Sequence, residues 1–117
     1  MTNQALSNRD HRGVAMITGE QFTEQVETEG RLTLVDFYAD WCGPCKALAP
    51  TIEALAEDFE GRLIVGKLDI DSASDLGASL GLTSIPCCIL FKAGVEVDRV
   101  IGYKPKSDFL TLLDTHV

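Results

Sequence analysis

The stretch Leu34-Val-Asp-Phe-Tyr-Ala-Asp-Trp-Cys-Gly-Pro-Cys-Lys46 decides how the rest of this chain is read. It opens within an almost continuous apolar run, Leu32 to Ala39, interrupted by the acid Asp36. Such a run predicts a strand covered on both faces. Two cysteines follow at once, Cys42 and Cys45, with Gly43-Pro44 between them. After them Leu48, Ile52, Leu55, Ala56 and Phe59 recur at helical spacing. Cys42 therefore stands where a strand hands over to a helix, and there the free backbone amides and the helix dipole favour negative charge. The thiolate is the reactive form of cysteine, so the placement predicts an activated nucleophile at Cys42. Cys45, one turn inward and expected to be shielded, is placed to attack a mixed disulfide formed by Cys42 and so close a small ring. Pro44 stiffens the loop, and Gly43 lets a partner backbone approach closely.

The same Cys-x-x-Cys spacing is half of many zinc sites. A zinc ribbon needs a second pair in similar geometry, whereas Cys87 and Cys88 are adjacent and open a strand. The strand before the motif, the helix after it and Gly-Pro within it favour redox chemistry over metal binding.

Working outward, Val14 to Ile17 reads as a short strand. Thr18 and Gln21 have the form of a capping box opening a helix that carries Phe22 and Val26 inward and ends at Gly30. The helix begun near Cys42 closes at Gly61, and Pro50 within it is expected to bend it. Leu63 to Ile70 is the next strand, followed by a short helix with Leu76 and Leu80 that Gly81 stops. Cys87 to Lys92 and Val95 to Ile101 flank Ala93-Gly94, a two-residue hairpin turn. The last helix begins around Pro105 and buries Phe109, Leu112 and Leu113. Residues 1–13 are polar and carry no period, so a flexible leader is expected there, ahead of one domain over 14–117. This order predicts an α/β fold, a mixed central five-stranded sheet flanked by four helices, parallel where helices cross over and antiparallel in the final hairpin.

With 117 residues the chain has room for one domain and one core. Its 45% hydrophobic and 24% charged residues are those of a globular protein rather than a disordered one. Ten basic against 18 acidic side chains, a net charge of −8, argue against nucleic acid as a main partner. No apolar run approaches the roughly 20 residues of a membrane span. The amino terminus, MTNQALSNRDHRG, lacks the apolar core of a secretory signal. The expectation is a cytoplasmic protein without membrane attachment, whose four cysteines are reactive, metal-bound or buried rather than a disulfide scaffold. His11 and His116 have no partner at ligand spacing and are expected to face solvent.

On these residues the chain resembles the thioredoxin family. Leu34 to Lys46 matches the family signature almost position for position, Ser84-Ile-Pro86 is similar to its cis-proline loop, and Phe91-Lys-Ala-Gly94 to its hairpin turn. The resemblance covers about residues 14–117 and implies a thioredoxin fold. It also implies reduction of protein disulfides through Cys42 and Cys45, with disulfide-containing proteins as substrates. Electrons are then expected from a thioredoxin reductase, an NADPH-dependent flavoenzyme, because the chain has no glycine-rich dinucleotide motif of its own. No cofactor and no metal are expected on the chain, and a monomer is.

The resemblance also assigns roles. Asp36 becomes the carboxylate beneath the pair, where burial raises its pKa and suits it to exchange a proton with Cys45. The alternative is an Asp36 that faces a polar crevice and only stabilises the fold. Lys67 matches the lysine that tempers that carboxylate, with a solvated strand-end lysine as the alternative. Pro86 is expected to hold a cis bond to Ile85, exposing the Ile85 backbone to pair with an extended substrate segment. Trp41 and Gly102, with Gly43 and Pro44, complete the contact surface, although Trp41 could otherwise serve packing.

Two positions depart from the pattern. Tyr38 stands where the family often has Trp, and Cys87 follows Pro86 where Thr is common. Cys87 and Cys88 read as small, buried apolar residues. Alternatively Cys87 is an accessory thiol open to oxidation or glutathionylation, or joins Cys42 and Cys45 around a metal or iron–sulfur cluster. Neighbours on a strand point to opposite faces, so Cys87 and Cys88 are not expected to serve one cluster together. The rival functions are thus a redox-inert clamp for another protein and a metal or cluster carrier.

Overall fold

A computed structural model describes residues 9–10, 13–27 and 31–117. Most of the expected leader, and the helix stop at Gly30, lie outside the described residues. The elements are β1 (Arg9–Asp10), β2 (Val14–Met16), α1 (Phe22–Val26), β3 (Leu32–Tyr38), α2 (Gly43–Asp58), β4 (Leu63–Asp69), α3 (Ser74–Ser79), β5 (Cys87–Lys92), β6 (Val95–Ile101) and α4 (Lys106–His116). A 3-10 turn, Ile70–Ser72, takes the residue expected to end β4.

The sheet order is β1-β2-β4-β3-β5-β6. Strands β2, β4 and β3 run parallel, β5 runs antiparallel to β3, and β6 runs antiparallel to β5. This is the mixed five-stranded sheet with four helices read from the sequence. To it β1 adds two residues at the edge, pairing Arg9 with Ala15 and Asp10 with Val14.

Strand β3 lies at the centre, so its alternation sorts the core into two layers. Leu32 and Leu34 join Leu48, Ile52 and Leu55 of α2 and Phe109 and Leu113 of α4. Val35 and Phe37 turn to the other face, against Phe22 and Val26 of α1 and Leu76 of α3. Phe22 packs edge-on to Phe91, with ring centroids 5.3 Å apart, a favoured aromatic arrangement.

Local signals formed as their chemistry dictates, with small shifts in boundary. Thr18 N–H donates to Gln21 Oε1 and Gln21 N–H to Thr18 Oγ1, both at 3.2 Å, so the capping box closes. Regular helix nevertheless starts only at Phe22. Ala93 (φ 50°) and Gly94 (φ 85°) both take the left-handed conformation that a two-residue turn matching the strand twist requires. Gly94 N–H also donates to Val26 O at 2.7 Å, tying the hairpin to α1. Pro105 caps α4 from outside rather than starting it. His116 is half-buried, with Nε2 3.4 Å from Asp98 Oδ2, and does not simply face solvent as expected.

Candidate active site

The site forms where the carboxyl end of β3 meets the amino end of α2, the edge at which open α/β sheets place their chemistry. Ala39, Cys42 and Cys45 pack into one small cluster with Tyr38, Ile70 and Ile85. Cys42 is the N-cap of α2, extended at φ −91° and ψ 111°, and its Sγ accepts the Cys45 N–H at 3.2 Å. A sulfur that accepts an otherwise unpaired helix amide is poised to hold negative charge once reduced. Here the two sulfurs are joined as a disulfide across a Cα–Cα distance of 5.3 Å.

The expected contrast between an open Cys42 and a shielded Cys45 does not appear in overall burial, since Cys42 is 5% exposed and Cys45 4%. What differs is their surroundings. Cys42 is bordered by exposed Trp41, Gly43 and Pro44, and its Sγ lies 3.9 Å from the Ile85 carbonyl. Cys45 is among the residues that α2 turns to the core.

The Ile85–Pro86 peptide bond is cis, as the motif implied. Pro86 O accepts the Gly102 N–H at 2.8 Å, which brings the carboxyl end of β6 beside the loop. Gly102 is left-handed (φ 84°), and a Cβ placed on it meets nothing within 4 Å. Trp41 is 69% exposed, so packing does not explain it. Its indole Nε1–H donates to Asp71 Oδ2 at 2.9 Å, from the turn after β4. Nothing in the sequence linked Trp41 to an acid thirty positions away.

Asp36 is 1% exposed, so it does not face an open crevice. Burial is the main force on it and pushes its pKa up to about 6, with the Lys67 charge and a hydrogen bond from Cys88 pulling in the other direction. Lys67 is its register partner on β4. The Lys67 ammonium rests over the Tyr38 ring, 4.4 Å from the centroid, where the ring face attracts it.

The two remaining cysteines separate as neighbours on a strand must. Cys87 enters the layer with Phe37, Ile89 and Phe91. Burial raises its pKa, and the Arg99 charge offsets this in part. Cys88 enters the opposite layer, and its Sγ lies 3.7 Å from Asp36 Oδ1. Cys88 rather than Cys87 is therefore the thiol in contact with the Asp36 carboxylate. Among the described residues no group of three or more His, Cys, Asp or Glu side chains is gathered in a way that could hold a metal ion.

A closable dithiol at a helix amino terminus, beside a cis-proline loop on an α/β sheet, defines a thiol–disulfide oxidoreductase. The comparisons with known proteins agree. The family model described as Thioredoxin matches residues 13–115, and the chain belongs to that family. It is 42% identical over 104 residues to the thioredoxin of Staphylococcus aureus strain Mu50, covering 89% of this chain and 98% of that protein. The thioredoxin of strain MW2 of the same species matches equally, at 42% over 104 residues. The protein is accordingly a protein-disulfide oxidoreductase acting by dithiol–disulfide exchange through Cys42 and Cys45. Among the described residues, no helix is long and apolar enough to cross a membrane.

Proposed function

We propose that this chain reduces disulfides of other proteins in the cytoplasm as a monomer, with residues around the pair in distinct roles. Cys42 thiolate attacks one sulfur of the substrate disulfide. A Cys42–substrate disulfide forms, and the other substrate sulfur leaves as a thiolate that takes a proton from solvent. Cys45 then gives its proton to the Asp36 carboxylate and attacks Cys42 Sγ. The Cys42–Cys45 bond forms, and the second substrate thiolate departs carrying the electron pair of the broken bond. Two electrons have passed from the dithiol to the substrate. A thioredoxin reductase, an NADPH-dependent flavoenzyme, returns them to the chain.

The observation that carries this reading is the joined pair itself, with Cys42 Sγ capping α2 through the Cys45 amide. The surface around Cys42 supports substrate docking by strand addition. The Ile85 carbonyl lies 3.9 Å from Cys42 Sγ, so backbone able to pair with an extended segment stands beside the nucleophile. Gly43 and Gly102, where an added Cβ would meet nothing within 4 Å, leave room for a partner backbone, with exposed Trp41 and Pro44 beside Cys42 as contact surface. Lys67, alongside Asp36, keeps the carboxylate from rising further.

Reduction of insulin disulfides with dithiothreitol as electron source tests the reading. Wild type is expected to turn over, Cys42→Ser to fall to the uncatalysed background, and Cys45→Ser to accumulate a covalent mixed disulfide visible by mass spectrometry. Equal turnover by wild type and Cys42→Ser overturns it in favour of a clamp.

A further inference from the structure

The carboxylate that serves Cys45 is held by a group outside the motif. Strand β5 places Cys88 directly opposite Asp36 in the antiparallel register, on the same face of the sheet, with Sγ 3.7 Å from Asp36 Oδ1. The other oxygen, Oδ2, is buried without a hydrogen-bond partner. Both side chains are 1% exposed. We infer that Cys88 is a positioning residue for Asp36: its thiol donates a hydrogen bond to Oδ1, orients the carboxylate and leaves Oδ2 as the acceptor for the Cys45 proton. The inference deepens the proposed function and rests on the proton-acceptor role given there to Asp36.

The geometry assigns the two oxygens different tasks. A buried carboxylate oxygen without a donor is costly and basic. Fixing Oδ1 to a strand-borne donor holds the side chain in one orientation while Oδ2 stays unoccupied. Cys88 suits the donor role because it remains a neutral thiol. Burial first, and the Asp36 charge second, hold its own pKa well above the ordinary thiol value. It is thereby a donor rather than a second nucleophile, which sets it apart from Cys42.

Among the described residues, the other groups around Asp36 are few. Strand β4 contributes Lys67, half-buried and resting over Tyr38. Helix α2 packs on the same layer as Cys88, and its buried residues there, Leu48, Ile52, Leu55 and Ala56, carry no charge. Beyond Cys88, β6 pairs it with the apolar Val100, and Cys87 turns to the opposite layer.

The test compares wild type with Cys88→Val, which keeps volume without a donor, and Cys88→Ser, which keeps a donor. Cys88→Ala serves as a second donor-free variant in case valine crowds the site. In the full-length oxidised protein, the Asp36 carboxyl carbon is titrated by NMR. Loss of the donor is expected to raise the midpoint by roughly 0.5–1 pH unit, since a hydrogen bond to the charged form is removed. Cys88→Ser is expected at or below the wild-type midpoint. The pH profile of the resolving step, read as release of the Cys42 mixed disulfide, is expected to move with the midpoint. Equal midpoints in wild type and the donor-free variants overturn the inference, as does a Cys88→Ser midpoint that moves with them. A midpoint that moves while the resolving profile stays still, with Asp36→Asn equally without effect on that profile, overturns the proton-acceptor role and leaves the Cys88 bond standing.

Discussion

At the scale of the residue, Asp36 shows how a functional group weighs on the fold. Its pKa is about 6 in the folded chain against the ordinary carboxylate value of 3.8. Between those values the folded state binds more protons than the unfolded one. Stability from this group is therefore fully present below about pH 4 and is lost as pH rises through 6. The charged, buried carboxylate then costs on the order of 3 kcal/mol at neutral pH. Asp36→Asn should consequently be more stable than wild type at about pH 7.5, with the gap narrowing by most of that amount at about pH 4. Guanidinium unfolding at the two pH values checks this, and a gap independent of pH contradicts it. That Asp36 would be buried with a raised pKa was legible, because a lone acid in a buried strand is desolvated. Its bond to Cys88 was not, because 52 positions separate the two and only the pairing of β3 with β5 brings them together.

At the scale of the element, two glycines make a paired prediction. Gly94 closes the β5–β6 hairpin at φ +85°, and a Cβ there lies 2.8 Å from Glu27 Cγ. Gly94→Ala should cost about 1–2 kcal/mol, the scale of forcing a side chain into the left-handed region, with insulin reduction little changed. Gly43, at the start of α2, does not take a positive φ, and a Cβ added to it would meet nothing within 4 Å. Gly43→Ala should leave unfolding unchanged or shift it upward by less than about 1 kcal/mol. It should slow reduction of protein disulfides more than that of small ones, as expected if the gap admits a partner backbone. A Gly43→Ala protein that is destabilised yet fully active contradicts that division. The elements themselves were readable because each carried a local signal: the alternating and helical spacings, the capping box, the Ala93-Gly94 turn. Their ends moved by a residue or two where a local turn competed, as at Ile70, which left β4 for the 3-10 turn that Asp69 caps.

At the scale of the whole molecule, the sheet divides the core into two layers, with the cysteine pair in a small cluster of its own at one end. Phe109 of α4 is fully buried in the layer that also holds α2 and Cys88. Phe109→Ala should cost about 3–5 kcal/mol, a large share of the roughly 5–15 kcal/mol that holds a domain together. Denaturant unfolding measures it, and a loss below about 1 kcal/mol shows that α4 does not anchor this layer. A smaller insertion tests the other end of the sheet. A Cβ on Gly66 collides with Ile17 Cδ1, so Gly66→Ala should cost about 1–3 kcal/mol through overpacking at the β2–β4 junction, read by the same unfolding measurement.

Contiguous chemistry was determined by the sequence alone. Cys42 and Cys45 lie within one helical turn, the strand before them and the helix after them are written in the apolar spacing, and the order of elements fixes parallel and antiparallel pairing. These rest on interactions between residues a few positions apart, or on the direction a short connection permits. Tertiary structure decided what depends on contacts across the sheet. It seats Pro86 beside Gly102 and Trp41 on Asp71, and buries both thiols of the pair alike. It also turns Cys87 away and Cys88 toward Asp36, because a strand sends neighbours to opposite faces and only the register of β5 against β3 selects which one meets the acid.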